Sequence, residues 1–442
     1  MNIQKTIIWH DRAMAFSFYA LIYFLPISIA LLESFAGLAL FFYLFKRGTM
    51  FYVQIKKGSF SWQTLYFPKK IFAFLRAFKP VKNFLNWPIG ILLFFILISA
   101  IVSQIPALSF RGYVGKTLQY VFLYFTFLEC IHSRKRIKIF LTVYLISFAL
   151  ICINGIFQKF TGQDFIYGQP IDGMRIFSSL RHANDFGAYL ILIIPVLFSL
   201  SILLGRRERT AVPGESSDFL VFTSLITRVI IFLLFILGLI CLGLTFSRGA
   251  WLAFALSLVF MGFRKLKFLL PCLLLVAAFL SISYPYLIEQ RSALWGNQWN
   301  LKDLLSFTSS NRLLYWQGTA QIIKEYPLFG TGLNTYSLIV GNYKQQFGGY
   351  AHNCYLQMTA ETGLFGLAAF LWMLFVLFRN SFKGLRLIEG RAYQLLLFGL
   401  LTGLLAFLIH GFFDTIFYSV QLSSLMWVIM GMIVTLQKIH EP

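Results

Sequence analysis

The sequence predicts an all-α, polytopic integral membrane protein with about twelve transmembrane helices and one long periplasmic loop that contains short helices. Three observations support this fold class. Of the 442 residues, 58% are hydrophobic and only 12% are charged, which is too apolar for a soluble chain of this size. Apolar runs close to the length of a bilayer-spanning helix recur along the chain. Basic residues are concentrated in alternate connections between these runs.

The apolar runs place nine predicted spans within residues 1–284 and three within 351–442. Two pairs are less regular: the first two runs are separated by Glu33, and another pair is divided at Ser247–Gly249. Each pair could instead form one broken or re-entrant unit. The predicted span centres are Tyr23, Leu40, Phe95, Phe122, Ile146, Ile193, Phe235, Ala255, Leu274, Leu371, Leu400 and Val428.

Charge determines the predicted orientation. With the N-terminus in the cytoplasm, twelve spans place 27 of the 38 Lys and Arg residues on the cytoplasmic side and 11 on the outer side, as the positive-inside rule expects. The net charge of +22 therefore does not indicate nucleic-acid binding, because the charges are spread between spans rather than gathered on one folded face.

Two connections are long enough to have roles of their own. The cytoplasmic segment 46–87 is basic and aromatic, which predicts an anchor that lies against anionic membrane lipids. The periplasmic loop 285–350 is rich in Trp, Tyr, Asn and Gln, and a helix is predicted from Arg312 to Lys324. Pro327 is expected to end this helix. Long loops of this kind are usually lids or binding elements.

The most informative polar segment follows that loop. It reads His352-Asn353, then nine residues, then Gly363-x-x-Gly366. If the run is helical from His352, steps of about 100° per residue place both glycines within roughly 40° of the histidine's direction. One face would then carry a base that titrates near neutral pH. The same face would carry two bare backbone patches where a neighbouring helix can pack closely.

Several arginines fall on the outer face, which is otherwise poor in positive charge. Guanidinium groups bind a diphosphate in bidentate fashion, although each arginine could also reach the lipid head groups or pair with a local acid. Arg248 stands in a polar break between two apolar runs, Arg312 precedes Trp316 by four residues, and Arg181 opens a span. Trp316 could stack on a sugar or simply be buried.

Two further polar positions have alternative readings. Asn184, three residues after Arg181, could bind substrate or cap its helix. Asp414 follows His410 by four residues, so the two could form an ordinary helix-end pair, or Asp414 could orient His352 across the bundle.

No metal or cofactor is predicted. The outer loops offer Asp164, Asp172, Glu289 and Asp303 singly, without paired carboxylates beside a histidine. The five cysteines are not spaced as a disulfide framework or a zinc site.

Taken in order, four features resemble the O-antigen ligase and polymerase superfamily over residues 181–414. They are Asn184-Asp185-Phe186-Gly187, Ser247-Arg248-Gly249, the loop helix Arg312–Trp316 leading into Pro327–Gly332, and His352-Asn353 with Gly363 and Gly366. Many members have His-Pro-Asn where this chain has His182-Ala183-Asn184.

The resemblance implies a metal-independent, inverting glycosyltransferase in the bacterial inner membrane, with its site facing the periplasm. It would move a glycan from an undecaprenyl diphosphate carrier to an acceptor hydroxyl. His352 would be the base, and Arg248 and Arg312 would hold the diphosphate. Arg181, Asn184, Asn353 and Trp316 would contact substrate.

The acceptor separates the remaining alternatives. An O-antigen ligase would use a lipid A core sugar, in lipopolysaccharide biosynthesis, whereas an O-antigen or exopolysaccharide polymerase would use a second lipid-linked glycan. A non-enzymatic transporter is a further alternative. It would be expected to carry charged residues along a path at the span centres, and these centres are nearly free of charge.

Overall fold

The computed structural model describes residues 3–57, 78–201, 225–264, 301–343 and 349–440, with the single positions Leu270, Leu274, Ala277 and Ser281. Within these ranges the regular structure is helical, and the β contacts are two isolated bridges, Gln163–Pro170 and Asp172–Arg175. The predicted all-α fold class is confirmed.

The α-helices in the described part of the chain are numbered in order. They are α1 Ile3–Phe24, α2 Ile29–Lys57, α3 Asn86–Ile101, α4 Pro106–Gly112, α5 Gln119–Cys130, α6 Arg134–Thr161, α7 Ala183–Ser201, α8 Leu225–Leu244, α9 Arg248–Arg264, α10 Leu301–Glu325, α11 Tyr336–Ile339, α12 Cys354–Gly384, α13 Arg391–His410 and α14 Val420–Lys438. A π-helix, Tyr113–Leu118, joins α4 to α5, and short 3₁₀ turns occupy Val340–Asn342 and Ile416–Tyr418.

Seven of these helices are long and apolar enough to cross a bilayer: α2, α6, α7, α8, α12, α13 and α14. The helices α3 and α9 are apolar but shorter. Every predicted span centre is helical, including Leu274, whose immediate neighbours lie outside the described residues. The protein is therefore polytopic, and the count of twelve spans stays a prediction.

The centre of the bundle is formed by α7, α13 and α14, whose most apolar windows are at least 83% buried within the protein. Small residues allow α13 to approach α7. A Cβ added at Gly399 would lie 2.6 Å from the Cα of Val196, and one at Gly403 would collide with the carbonyl oxygen of Leu192. Close backbone contact at small residues is a common way for helices to associate in membranes.

At the opposite end from His352, an ion-pair network joins α1, α2, α5 and α6. Lys46 binds Asp11 at 2.7 Å and Glu129 at 3.0 Å, while Arg47 binds Glu129 and Arg136 binds Asp11, each at 2.5 Å. Lys46 and Arg47 are thus buried inside the protein. This corrects the expectation that the segment 46–87 begins as a lipid-facing anchor, because pairing with the partly buried Asp11 and Glu129 holds both cations in the interior. Residues 58–77 of that segment lie outside the described residues.

The described part of the long loop predicted at 285–350 is organised around α10. This helix ends at Glu325, just before Pro327, as predicted, but it begins at Leu301, earlier than expected. The following loop packs on α10 and α12 through a small separate apolar cluster, which consists of Ile322, Tyr336, Val340, Ala351 and Ala360. This cluster connects the loop to the start of α12.

Candidate active site

His352 lies in the turn that leads into α12, and its backbone has a φ of +49°. A left-handed conformation is uncommon for a residue with a Cβ and costs about 1–3 kcal/mol. Its neighbours hold the turn in place. The N–H of Ala351 donates to Gln357 Oε1 at 3.1 Å, and the carbonyl oxygen of Ala351 accepts from Trp316 Nε1 at 3.1 Å. The His352 side chain is 40% exposed and therefore accessible to a substrate.

Asn353 caps α12. Its Oδ1 accepts from the N–H groups of Tyr355 and Leu356, both at 3.0 Å, and its side chain is buried. The helix therefore begins at Cys354, after the histidine, rather than at His352 as the sequence analysis assumed. The amide oxygen of Asn353 is thus used by the helix, and a substrate contact of this residue stays a prediction.

Asp414 orients the histidine. Its Oδ1 lies 3.2 Å from His352 Nδ1 and 2.8 Å from the N–H of Thr415, and its Oδ2 accepts from Asn184 Nδ2 at 2.5 Å. A carboxylate only accepts, so the geometry assigns the proton to Nδ1 and leaves Nε2 as the acceptor. Of the two readings of Asp414, the structure supports the one in which it orients His352.

The electrostatic surroundings keep Asp414 ionised. Burial by itself raises the pKa of this carboxyl, but the hydrogen bond from His352, the nearby His410 and the N–H of Thr415 outweigh burial and hold the pKa below its ordinary value. An ionised Asp414 can stabilise a positive charge on His352, as the aspartate of a catalytic triad does for its histidine.

Asn184 extends the chain of hydrogen bonds. Its Oδ1 accepts from Arg175 Nη2 at 2.7 Å, while Arg175 Nε donates to the carbonyl oxygen of Thr245 at 3.0 Å. The amide of Asn184 therefore bridges Arg175 and Asp414. Together these contacts form one line, Arg175–Asn184–Asp414–His352, which we call the polar relay.

Arg175 is not distinguished by any local sequence pattern. It lies in the loop before α7 and is one of the eleven basic residues predicted on the outer side. Hydrogen bonds to two helices hold this loop in position. Gln158 Oε1 accepts from the N–H groups of Phe177 and Ser178, and the N–H of Ile176 donates to the carbonyl oxygen of Leu244 at 3.1 Å. These contacts attach the loop that carries Arg175 to α6 and α8.

Arg248 and Arg312 lie at the same end of the bundle. Arg248 is exposed and is the first residue of α9. The next residue, Gly249, packs so closely on His410 that an added Cβ would lie 3.0 Å from Nδ1 of that ring. Arg312, on α10, is partly exposed, and its charge acts on the same His410. His410 itself directly precedes the turn that carries Asp414.

Two further residues of α10 contact the turn that carries His352. One turn after Arg312, the ring of Tyr315 makes an edge contact with His352, with ring centroids 5.4 Å apart. Trp316 is partly buried, and its indole N–H is used by Ala351. Arg181 is exposed at the start of α7, and its charge acts on Asp185. The predicted residues His352, Asn184, Arg248, Arg312 and Trp316 thus meet around one end of the bundle.

The glycines of α12 serve a different contact from the one expected. Gly363 has a φ of +70° and kinks the helix, and an added Cβ there would collide with the backbone of Leu328. Gly363 is therefore approached by the loop that follows α10, at Leu328, rather than by a neighbouring helix. Gly366 faces Thr362 of its own helix. Because the backbone of Gly363 is not helical, α12 kinks there and exposes this backbone to the loop at Leu328.

Metal-binding groups do not cluster in the described residues: no three His, Cys, Asp or Glu side chains come together there. Of the acids noted in the sequence analysis, Glu289 lies outside the described residues. Asp164 accepts from the N–H groups of Ile166, Tyr167 and Gln169, which gives it a role in shaping the loop before α7.

Comparison with known families agrees with the motifs. A family model described as O-antigen ligase matches residues 233–371, a segment that carries Arg248, Arg312 and His352. This match confirms the resemblance to the O-antigen ligase superfamily and supports glycosyl transfer of the ligase or polymerase type. Three members of the polar relay, Arg175, Asn184 and Asp414, lie outside the matched segment. No curated protein matches the chain.

Proposed function

We propose that this protein transfers a glycan from an undecaprenyl diphosphate carrier to an acceptor hydroxyl at the periplasmic face of the inner membrane. The reaction we favour is O-antigen ligation to the lipid A core. One observation carries the proposal: His352, inside the segment that matches the O-antigen ligase family, donates through Nδ1 to the buried, ionised Asp414.

In the proposed reaction, His352 is the general base. Its Nε2 accepts the proton of the acceptor hydroxyl while the hydroxyl oxygen attacks the anomeric carbon from the side opposite the diphosphate. The new C–O bond forms as the bond to the diphosphate breaks, so the configuration inverts and the electron pair leaves with undecaprenyl diphosphate. Asp414 stabilises the imidazolium, which then releases its proton to water. A positioned base typically contributes about 10²- to 10⁴-fold to the rate.

The arginines have a separate role in this mechanism. The leaving diphosphate develops negative charge, and Arg248 and Arg312 are proposed to bind it, since guanidinium groups match phosphate oxygens and stay charged. Both lie near His410 at the end of the bundle that holds His352. Because a diphosphate is already a good leaving group, charge stabilisation by arginine can replace a divalent cation. We therefore propose that transfer proceeds without metal, and a purified assay in EDTA should retain full activity.

The test of the base uses two variants of His352. His352→Asn removes the base and suits the left-handed backbone, because asparagine tolerates positive φ. His352→Ala removes the side chain entirely. Both should insert into the membrane and lose transfer by at least about 10²-fold. Near-normal transfer by well-expressed His352→Asn protein would disprove the assignment.

The acceptor is identified by lipopolysaccharide profiles of a deletion strain. If the protein is a ligase, the glycan accumulates as a full ladder on the carrier and none reaches lipid A. A band with a single repeat on lipid A would instead show a polymerase and would overturn the proposed ligation.

A further inference from the structure

A partly open cavity of about 120 Å³ lies between α3, α12 and α14, and the proposed mechanism does not use it. We call it the α12–α14 cavity. The π-helix that joins α4 to α5, the loop after α10 and the 3₁₀ turn before α14 also contribute to its walls. Among the described residues that line it, Lys116 carries the only charge.

The lining changes from polar and partly exposed to apolar and buried. Lys116, Thr117 and Asn334 are partly exposed and form a polar mouth. The mouth lies at the end of the bundle that holds His352, since Tyr418, four residues after Asp414, also lines the cavity. The inner walls are buried and mainly apolar, and they include Leu92, Ile96, Phe370, Met426 and Trp427.

The dimensions of the cavity suit one hydrocarbon chain. Two lining residues of α12, Met358 and Phe370, are separated by roughly 18 Å along the helix, at 1.5 Å per residue. One leaflet supplies about half of the 30 Å hydrocarbon core of a bilayer, so the cavity extends about as far as one acyl chain. Its volume is also adequate, because an apolar cavity of about 150 Å³ can hold a benzene molecule.

The inner walls are poorly suited to water. Two hydroxyl groups there already donate to backbone carbonyl oxygens: Thr362 Oγ1 to Met358 at 2.7 Å, and Ser423 Oγ to Phe417 at 2.5 Å. A buried water molecule needs two to four polar partners, and apolar cavities stay dry. A hydrocarbon chain therefore fills this space more favourably than water does.

The mouth supplies a positive charge. Lys116 Nζ donates to Asn334 Oδ1 at 3.2 Å, which uses one of its three N–H donors. The ion pairs formed within the described part of the chain do not include Lys116. An ammonium group binds a phosphate as a point charge. The mouth thus suits a single phosphate that is attached to a hydrocarbon chain.

We propose that the α12–α14 cavity binds one acyl chain of an anionic glycerophospholipid, whose phosphate pairs with Lys116. A carrier with a diphosphate would place two phosphates beside one ammonium, which is a poorer match of charge than a phosphodiester. The proposed site goes beyond glycan transfer, and it does not depend on the proposed function.

The experiment uses the full-length protein in detergent with phosphatidylglycerol that carries a diazirine in one acyl chain. Light converts the diazirine into a carbene with loss of N₂, and the carbene inserts into a nearby C–H bond. Peptide mapping by mass spectrometry should find adducts at Leu92, Ile96, Met426 and Trp427, which are buried from lipid on the outer surface of the protein. Diacylglycerol with the same diazirine chain lacks the phosphate and should label these residues about fivefold less.

The role of the charge is tested with Lys116→Gln. Labelling by phosphatidylglycerol should fall about fivefold, because one lysine contributes about 1 kcal/mol to the attraction of an anionic lipid. Labelling by diacylglycerol should not change. Lys159→Gln is the matched control: Lys159 is also partly exposed and donates to the carbonyl oxygen of Met174 at 3.5 Å, but it does not line the cavity. This variant should label like the wild type.

The role of the space is tested with Leu92→Trp, which fills the cavity from α3 and should abolish the inner adducts. Leu93→Trp makes the same change at the next residue, which does not line the cavity, and should retain them. Added phosphatidylglycerol should raise the Tm of the wild type but not that of Leu92→Trp, because a ligand stabilises only a protein that binds it. If Leu92→Trp fails to fold, Ile96→Phe is the smaller change in the same wall.

The outcomes that would overturn the proposal are distinct. A lack of adducts at the buried residues would reject the cavity as a lipid site. Equal labelling by the two probes, or full labelling of Lys116→Gln, would reject the phosphate contact. Loss of labelling with stoichiometric undecaprenyl phosphate, while excess unlabelled phosphatidylglycerol has no effect, would assign the cavity to a prenyl lipid instead. Displacement of the probe by unlabelled phosphatidylglycerol would support the proposal.

Discussion

The Nδ1 atom of His352 lies 3.2 Å from Oδ1 of Asp414, although 62 positions separate the two residues. The start of α12 and the end of α13 are joined at this point. The N–H of Cys354 donates to the carbonyl oxygen of Gly411 at 2.7 Å, and the Cys354 thiol donates to the carbonyl oxygen of Asp414 at 3.0 Å. These two contacts of Cys354 keep the Asp414 carboxylate beside His352.

Replacement of Asp414 by Asn should lower kcat by at least about tenfold. Both oxygens of Asp414 accept hydrogen bonds, from His352 and Thr415 on one side and from Asn184 on the other. An asparagine must place its NH₂ group against one of these donors, and it carries no charge to stabilise the imidazolium. Kinetics of purified protein would test this, and a wild-type kcat would contradict it.

The stability of the protein should depend on the ionisation of Asp414. Its folded pKa lies below its ordinary value, so the stabilisation is complete above the ordinary pKa of about 3.9 and is lost as the pH falls below it. The difference in Tm between wild type and Asp414→Asn should therefore narrow as the pH falls below about 4. Asp172→Asn, which removes an exposed carboxylate, is the control. A difference that is independent of pH down to pH 3 would contradict this prediction.

Asn184→Ala should reduce kcat by about 10- to 100-fold, because it removes one hydrogen bond to the Asp414 carboxylate and the acceptor of Arg175 Nη2. The donor KM should change less than kcat, since the residue acts through Asp414. If Asn184 instead contacts the substrate directly, KM would rise while kcat remained near the wild-type value.

Replacing Arg248 or Arg312 by Lys should weaken binding of undecaprenyl diphosphate by about tenfold, because an ammonium cannot reproduce the bidentate fork. Arg134→Lys is the control. Arg134 is the first residue of α6, at the end of that helix away from the site, so the same substitution there should leave the affinity for undecaprenyl diphosphate unaltered. Equal affinities for all three variants and the wild type would indicate that the arginines only anchor the protein in the interface.

The predicted orientation can be tested with single cysteines in a variant that lacks the five native ones. Asp172 and Lys135 are both exposed; Lys135 lies in the first turn of α6, and Asp172 lies in the loop that follows the last residue of α6. Asp172→Cys should react with an impermeant thiol reagent in intact cells, whereas Lys135→Cys should react only after lysis. The reverse pattern would place His352 in the cytoplasm and reject transfer at the periplasmic face.

The sequence by itself determined the features that depend on local composition. The apolar runs near the predicted centres form helices because a bilayer requires each spanning segment to satisfy its own backbone hydrogen bonds. Pro327 ends the loop helix because of its own ring geometry. His352, Arg248 and Arg312 stand out because they are polar or charged at the edges of apolar runs.

Only the tertiary structure decided which of these residues act together. The polar relay joins positions 175, 184, 352 and 414, and no local pattern specifies that the loops before α7, before α12 and after α13 meet. The burial of Lys46 with Asp11 and Glu129 likewise depends on the packing of separate helices. The approach of Leu328 to Gly363 depends on a kink and a loop that meet only in the folded chain. Local composition determines whether a segment enters the membrane, whereas distances between side chains are set by how the helices pack.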